Sequence, residues 1–192
     1  MNKKHTEIKF EDALEYQLLS PEGGFWQGNA AQFDKTRAMD TVLLIGFIKA
    51  TQEKHWQALQ AIHQERVEKA ILDDLEKEIN AKGLLAVLRH GFKCFGRVLH
   101  VAYFTPNNGL NPQTLADYRK NHLTITRQLH YSEKDPKKSL DAVLSLNGLP
   151  VVTIELKNPM SGQTAAHAIH QYTHDRDSHE LIFAFKKRVG SL

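Results

Sequence analysis

The amino-acid sequence predicts an α/β (α+β) protein in which helices come first and a mixed β-sheet follows. Three observations carry this prediction. The stretch from Asp40 to about His90 is rich in helix formers. From Gly91 onward the texture changes to β-branched and aromatic runs separated by turn formers. Ala165, Ala168, Ile169 and Tyr172 then share a helical stripe that interrupts the strands before a last one, LIFAF. The chain is read as one domain, with a mainly helical part over 1–90 and a sheet-and-helix part over 91–192.

The first element is predicted from FEDALEYQLL, where Phe10, Leu14 and Leu18 fall at helical spacing and Glu11 and Glu15 border the stripe. SPEGG ends it. Asp40 and Thr51 are cap candidates for a succession of three to five helices. Within that succession DDLEKE reads as a solvated face. KCFGRVLHVAYF and HLTITRQLHY read as strands, with PNNGLNP between them dense in turn formers. SLDAVLSL and PVVTIELK flank Asn147-Gly148, the strongest short hairpin signal in the chain.

The register of that hairpin follows from burial. Alternation places Val151, Thr153, Glu155 and Lys157 on one face and Val152, Ile154 and Leu156 on the other, which is the expected core face. In the preceding strand the apolar set is Leu140, Ala142, Leu144 and Leu146, leaving Asp141, Val143 and Ser145 opposite. Paired residues in an antiparallel ladder point to the same side, so the apolar sets match only when paired numbers sum to an even value. A plain two-residue turn pairs Leu146 with Leu149 and fails this test. An odd loop or a bulge satisfies it, for example a three-residue loop from Leu146 to Gly148 with Gly148 left-handed. The same register brings Asp141 onto the face of Glu155 and Lys157.

Composition bounds the function classes. A chain of 192 residues with 41% apolar content can bury a real core. A net charge of +3 permits a polyanionic partner without demanding one. Cys94 is the only cysteine, which excludes an internal disulfide and a Cys-rich zinc site and suits a reducing, cytoplasmic setting. It reads as a small core residue. The start, MNKKHTEIKFEDALEY, lacks an apolar signal region, and VLLIGFI is too short to span a membrane, so no membrane role is expected. The phosphate-loop pattern GxxxxGK[ST] is absent, so this chain alone gives no reason to expect nucleotide binding.

Asp141, Glu155 and Lys157 on one face point to metal-dependent phosphodiester chemistry. Two nearby carboxylates repel unless a cation is shared between them. A hard divalent ion such as Mg²⁺ takes carboxylate oxygens and keeps waters. Such an ion lowers the pKa of a bound water and offsets charge at phosphorus, and an ammonium beside it can position the water or stabilise the same charge. The bland alternative is a solvated E-x-K pair on a strand. Arg119, Lys120 and Arg127 near the sheet, and Lys186, Lys187 and Arg188 after its last strand, could grip DNA phosphates nonspecifically. His167, Gln171 and His174 line one face of the late helix and read as a DNA-contacting polar face rather than a zinc site. Neither a helix-turn-helix pattern nor zinc-finger spacing suggests base reading.

The D-x13-E-x-K arrangement on consecutive strands followed by a helix resembles the PD-(D/E)XK nuclease superfamily. The run SLDAVLSLNGLPVVTIELKNPMSGQTAAHAIHQYTHDRD resembles the N-terminal nuclease domain of the R (restriction and motor) subunit of type I restriction endonucleases, as do GLNP, LTITRQLHYS and TQEKHW. The resemblance implies a PD-(D/E)XK-like mixed sheet flanked by helices, with Asp141 and Glu155 as metal ligands, the Leu156 carbonyl as a third and Lys157 as catalytic lysine. It implies Mg²⁺, with Mn²⁺ as a substitute. In several superfamily members a glutamate from the first helix completes the site, and Glu11 or Glu15 could do so on what otherwise reads as a surface. Leu140-Asp141 stands where Pro-Asp is usual. The family's Gln-x-x-x-Tyr element is not matched in spacing, and Gln171 and Tyr172 are its nearest counterparts. The implied substrate is double-stranded DNA, and the implied partners are methyltransferase and specificity subunits. ATP would be used only by translocase domains that full-length R subunits carry beyond this stretch, so the chain is expected to be a fragment. The alternatives are a noncatalytic DNA-binding or assembly module with a relic core, and a stand-alone PD-(D/E)XK repair nuclease.

Overall fold

A computed structural model describes residues 3–106, 111–156, 180–184 and 190–191. In chain order its elements are α1 (Lys3–Leu19), β1 (Trp26–Gln27), β2 (Phe33–Asp34), β3 (Met39–Asp40), α2 (Thr41–Thr51), α3 (Glu53–His63), α4 (Val67–Lys82), α5 (Leu84–His90), β4 (Phe92–Cys94), β5 (Arg97–Leu99), α6 (Pro112–Tyr118), β6 (Leu123–His130), β7 (Ser139–Leu146), β8 (Leu149–Ile154) and β9 (Gly190–Ser191). Helices thus dominate the first part and most of the mixed sheet follows, as the sequence predicts, although the short strands β1 to β3 already lie before α2. Among the described residues no helix is long and apolar enough to cross a membrane.

Four helices, α2 to α5, occupy the stretch that begins at Asp40. Asp40 caps α2, its carboxylate accepting from the Leu43 N–H at 2.9 Å. Thr51 caps nothing: its hydroxyl donates back to the Phe47 carbonyl at 2.7 Å, and Gln52 precedes α3 instead. Leu44, Ile48, Leu59, Ile71, Leu75 and Ile79 bury the inner faces of α2, α3 and α4 against Phe92, Cys94 and Leu99 of the small β4–β5 hairpin. The acidic stretch of α4 is not merely solvated, because Arg37 pairs with Asp73 at 2.8 Å and with Glu76 at 3.0 Å. PNNGLNP is also more than a turn. Its Asn111 side chain accepts from the N–H groups of Gln113 and Thr114, and Pro112 opens α6 where a missing N–H costs nothing.

The five-stranded sheet has the order β1-β6-β7-β8-β9. β6, β7 and β8 run antiparallel in succession, while β1 lies parallel to β6 and β9 parallel to β8. The described residues 181–184 of LIFAF form no strand. Leu181–Phe183 is a 3₁₀ turn that buries Ile182 against Leu129, Leu140 and Val143, because its apolar side chains meet a cluster at the sheet rather than a neighbouring ladder. β9 lies downstream of it.

The β7–β8 hairpin combines both devices considered above. The tip is a two-residue turn, with Asn147 at φ 51° and Gly148 at φ 84°, so Leu146 pairs Leu149 and the three-residue loop is not used. A bulge follows at once. Ser145 pairs Pro150, but Leu144 pairs Val152, so Val151 is the extra residue and the sums become even from there on. The expected burial holds on β7 only at Leu140 and Ala142, since Leu144 and Leu146 are half-buried while Val143 and Ser145 of the opposite face are buried, and it does not hold on β8. Thr153 is fully buried beside Val143, while Val152 and Ile154 are only half-buried. The sheet is covered on both faces at this point, and a threonine hydroxyl is tolerated in the interior where it finds a hydrogen bond.

The turn itself is internal. Asn147 is completely buried; its side chain donates to the Val101 carbonyl at 2.9 Å and to Asn121 at 3.0 Å and accepts from the His122 N–H at 2.7 Å. Gly148 accepts from the Asp40 N–H at 2.8 Å, and a Cβ there would lie 2.2 Å from the Asp40 carbonyl oxygen. The hairpin tip is therefore the joint between the sheet and the start of α2.

Candidate active site

Beyond the bulge, the ladder ends with Ala142 paired to Ile154, and continuing its register by one step sets Asp141 across from Glu155, the first residue after β8. The two carboxylates therefore belong to one face, as the even register demands. Asp141 Oδ2 accepts a hydrogen bond from the Leu156 N–H at 2.6 Å. That contact fastens the segment after β8 to β7 and brings the Leu156 peptide beside the Asp141 carboxylate. Asp141, Glu155 and Leu156 are each half-buried, open enough for a ligand yet partly screened from water.

On its other side Asp141 faces β6. The β6–β7 ladder is regular from Leu123↔Leu146 to Arg127↔Ala142 and again from Leu129↔Leu140, and it skips only the position where Gln128 would meet Asp141. Gln128 has φ 46°, a left-handed conformation that breaks strand geometry. Its side-chain amide donates to both carboxylate oxygens of Glu11, at 3.1 and 3.2 Å.

Arg127 completes the contact with α1. It donates to Glu11 at 3.0 and 3.3 Å, to Asp12 at 2.8 Å and to Glu15 at 2.8 Å. The bond to Glu15 contributes most to raising its guanidinium above the ordinary arginine range, against the opposing effect of burial. Glu11 is buried, with 7% exposure, whereas Phe10 of the predicted apolar stripe is 60% exposed. Helix α1 thus docks on β6 with Glu11 rather than Phe10 as its buried residue, while Leu14 and Leu18 of the expected stripe are half-buried. Arg127, a candidate DNA contact by sequence, is held by three carboxylates of its own chain.

Strand alternation separates these groups. Arg127 shares the face of Leu140 and Ala142, opposite to that of Asp141 and Glu155. Consistent with this, the described residues contain no group of three His, Cys, Asp or Glu side chains placed to hold a metal ion. Among the described residues Glu11 and Glu15 are engaged by Arg127, and no third carboxylate is grouped with Asp141 and Glu155. Mg²⁺ does not require one, because it is commonly held by one or two carboxylates with waters filling the remaining positions. Asp141, Glu155 and the Leu156 carbonyl are all hard oxygen donors, which suits Mg²⁺ or Mn²⁺. Lys157, Gln171, Tyr172, Lys186 and Lys187, together with the histidines of the late helix, lie outside the described residues.

An open cavity of about 920 Å³ lies elsewhere, lined among others by Gln52, His55, Arg97, His100, Tyr103 and Lys120. No residue of β7 or β8 lines it. The role of Arg127 and Gln128 has no local signal in the sequence, since their partners are more than a hundred positions away and a left-handed glutamine cannot be read from composition.

A family model described as the type I restriction enzyme R protein N terminus matches residues 3–187. Neither a curated protein nor a solved structure matches the chain.

Proposed function

The chain belongs to the family of type I restriction enzyme R protein N termini, and on that premise we propose that it is a Mg²⁺-dependent endonuclease domain, a single unit over 1–192, that cleaves phosphodiester bonds of double-stranded DNA. The observation that carries this reading is the placement of Asp141 and Glu155 on one face of β7–β8, with the Leu156 peptide fastened to Asp141. The reading extends the match to the rest of an R subunit: ATP-dependent DNA translocation by domains beyond this stretch, and assembly with methyltransferase and specificity subunits. The match to an R protein favours this context over a stand-alone repair nuclease.

In this proposal Asp141, Glu155 and the Leu156 carbonyl hold Mg²⁺, with Mn²⁺ able to replace it. When bound, such an ion lowers the pKa of a coordinated water and offsets charge developing at phosphorus. Asp141 has a double duty, since one oxygen is committed to the Leu156 N–H and the other is left for the ion. Lys157, next but one to Glu155 in the sequence, is the catalytic lysine of this proposal, and its ammonium would act on a phosphate oxygen. Gln171 and Tyr172 are accessory candidates, and Lys186 and Lys187 would contact the DNA backbone.

Titration calorimetry of Mn²⁺ and Mg²⁺ into wild type and Glu155→Ala tests the reading. A wild-type site that is lost in Glu155→Ala supports it, and equal affinities refute the metal assignment. Plasmid cleavage by the isolated chain is a weaker test, because a nuclease coupled to a motor can be silent alone.

A further inference from the structure

Three features lie outside the proposed site: the open cavity near His55 and His100, the exposed apolar residues of α1 and β1, and the contact of α1 with β6. The cavity mixes Lys54, Arg97 and Lys120 with Glu53 and Asp117, and Lys120 is spent on the Ala50 carbonyl and Asp117, so its chemistry selects no ligand class. Ile8, Phe10, Tyr16 and Trp26 are exposed, but nothing in the structure indicates what would cover them. The α1–β6 contact carries an inference.

We propose that Glu11, Arg127 and Gln128 form a positioning clamp that holds the break in β6 opposite Asp141 and thereby sets the orientation of the Asp141 carboxylate. Four observations support it. The β6–β7 ladder is interrupted only where Gln128 would meet Asp141. Gln128 is left-handed there, a conformation that costs energy for a glutamine and persists when its surroundings hold it. The group that holds its side chain is Glu11, which accepts from Gln128 with both oxygens and from Arg127 with one of them. Glu11 is itself buried and lies 3.0 Å from the Arg127 guanidinium, a pairing that is costly to break in the interior. The pairs Arg127↔Ala142 and Leu129↔Leu140 flank Asp141 on either side of the break, and the Asp141 carboxylate in turn accepts from the Leu156 N–H.

These residues are positioning residues, not ligands. Glu11 reaches β6 through Gln128 and through Arg127, which shares the face of Leu140 and Ala142, and among the described residues no group of three His, Cys, Asp or Glu side chains is placed to hold a metal ion. The clamp acts on the neighbours of a metal site in the way outer-shell hydrogen bonds orient ligating carboxylates. Its link to a metal rests on the nuclease reading, whereas its effect on Asp141 and Leu156 does not.

The test therefore uses two readouts on the same variants. Gln128→Asn is the main variant, because asparagine tolerates the left-handed region but is one methylene too short to keep the Glu11 contact. Glu11→Ala removes the acceptor, and Glu11→Gln keeps an oxygen acceptor without the charge. Amide hydrogen exchange in metal-free protein is followed at Leu156, with Leu75 in the helical core as a control for global opening. Leu156 is expected to exchange roughly tenfold faster in Gln128→Asn and Glu11→Ala, about the net worth of one hydrogen bond, with Glu11→Gln near wild type and Leu75 unchanged. Unchanged Leu156 exchange in Gln128→Asn overturns the clamp, as does acceleration of Leu75 by the same factor. In the second readout Mn²⁺ affinity is expected to fall about 10-fold in Gln128→Asn and to survive in Glu11→Gln. A loss in Glu11→Gln as large as in Glu155→Ala makes Glu11 a ligand and overturns the positioning role. If Glu155→Ala leaves Mn²⁺ affinity untouched while Leu156 exchange responds as stated, the nuclease reading fails and the clamp stands. The opposite pattern removes the clamp and keeps the nuclease.

Discussion

The carboxylate of Asp141 and the backbone N–H of Leu156 are joined by a 2.6 Å hydrogen bond that spans β7 and the segment after β8. A carboxylate with one oxygen committed to a peptide is oriented before any ligand arrives. Asparagine at this position retains a carbonyl oxygen that can accept from Leu156, but it lacks the charge a divalent ion needs. Asp141→Asn is therefore expected to unfold within about 1 kcal/mol of wild type in urea and to lose Mn²⁺ affinity in calorimetry. Asp141→Ala removes both and should lose about 1 kcal/mol or more of stability as well. Equal Mn²⁺ binding by Asp141→Asn and wild type contradicts the metal assignment.

Arg127 gathers Glu11, Asp12 and Glu15 around one guanidinium that is 24% exposed. Removing the cation leaves three carboxylates facing each other, one of them buried. Arg127→Met is expected to lose roughly 2–4 kcal/mol in denaturant unfolding, toward the range for breaking a buried pair. Because the guanidinium is already occupied, the slope of DNA affinity against salt concentration should be unchanged in this variant. A slope reduced by about one unit indicates instead that Arg127 neutralises a phosphate.

The Asn147-Gly148 turn predicts a stability effect far larger than its position at a hairpin tip suggests. Asn147→Ala discards three side-chain hydrogen bonds and leaves the Val101 carbonyl and the His122 N–H without this partner. A loss of about 3 kcal/mol is expected. Gly148→Ala adds a Cβ 2.2 Å from the Asp40 carbonyl oxygen in a left-handed residue, so the joint must open. Both changes should lower the unfolding midpoint cooperatively. A loss below about 1 kcal/mol for Asn147→Ala means the turn is not the joint described here.

How much of this was legible depends on whether the deciding interaction is local. Asp40 as a helix cap, Asn147-Gly148 as a turn and the even register of β7 against β8 follow from short-range rules, and all three appear in the fold. Burial calls for an extra residue without locating it, because it fixes parity and not position. Val151 supplies it within the strand rather than the loop. The readings that failed were decided at a distance. Phe10 lost its place on the buried face to Glu11 because Arg127 outbid it from another element, and Leu181–Phe183 forms a turn because its partners are Leu129 and Leu140 rather than a strand edge. α6 was hidden by a Pro and an Asn that read as loop formers but serve as its start. Of the candidate site, Asp141 and Glu155 were readable from parity alone, whereas the Gln128 break opposite them depends on a backbone conformation with no sequence signature.

Protonation of two histidines should make the fold less stable in mild acid. Burial lowers the pKa of His100, with His55 adding to the effect, and burial also lowers that of His122, partly offset by Asp40. A depressed histidine binds its proton more readily when unfolded, so stability is intact above the ordinary value of 6.5 and falls as pH drops below it toward the folded-state value. Asp40 works in the opposite direction, since burial raises its carboxyl above 3.8 and stability from that group declines as pH rises through its window. Asp73 is lowered below 3.8 by Lys69 and Arg37, so its window lies under the range of interest. Urea unfolding compared at about pH 7.5 and pH 5 should show a loss that shrinks in a His100→Gln, His122→Gln double variant. An equal loss in that variant assigns the acid sensitivity to other groups.

Cys94 offers a probe of how the helical layer opens. It is fully buried among the side chains of the first core cluster, and burial, with a smaller contribution from Asp74, pushes its thiol up to about 12. Thiolate is the reactive form, so both access and ionisation suppress its chemistry in the native protein. At pH 8 an aromatic disulfide reagent should modify Cys94 at the rate of core opening, while denaturant should make the reaction immediate. Native-state labelling that scales with reagent concentration and proceeds as fast as in denaturant contradicts the burial. If instead the rate tracks global stability, Asn147→Ala should accelerate it by the factor its destabilisation implies, about tenfold for each 1.4 kcal/mol, since that turn joins the sheet to the same helical layer.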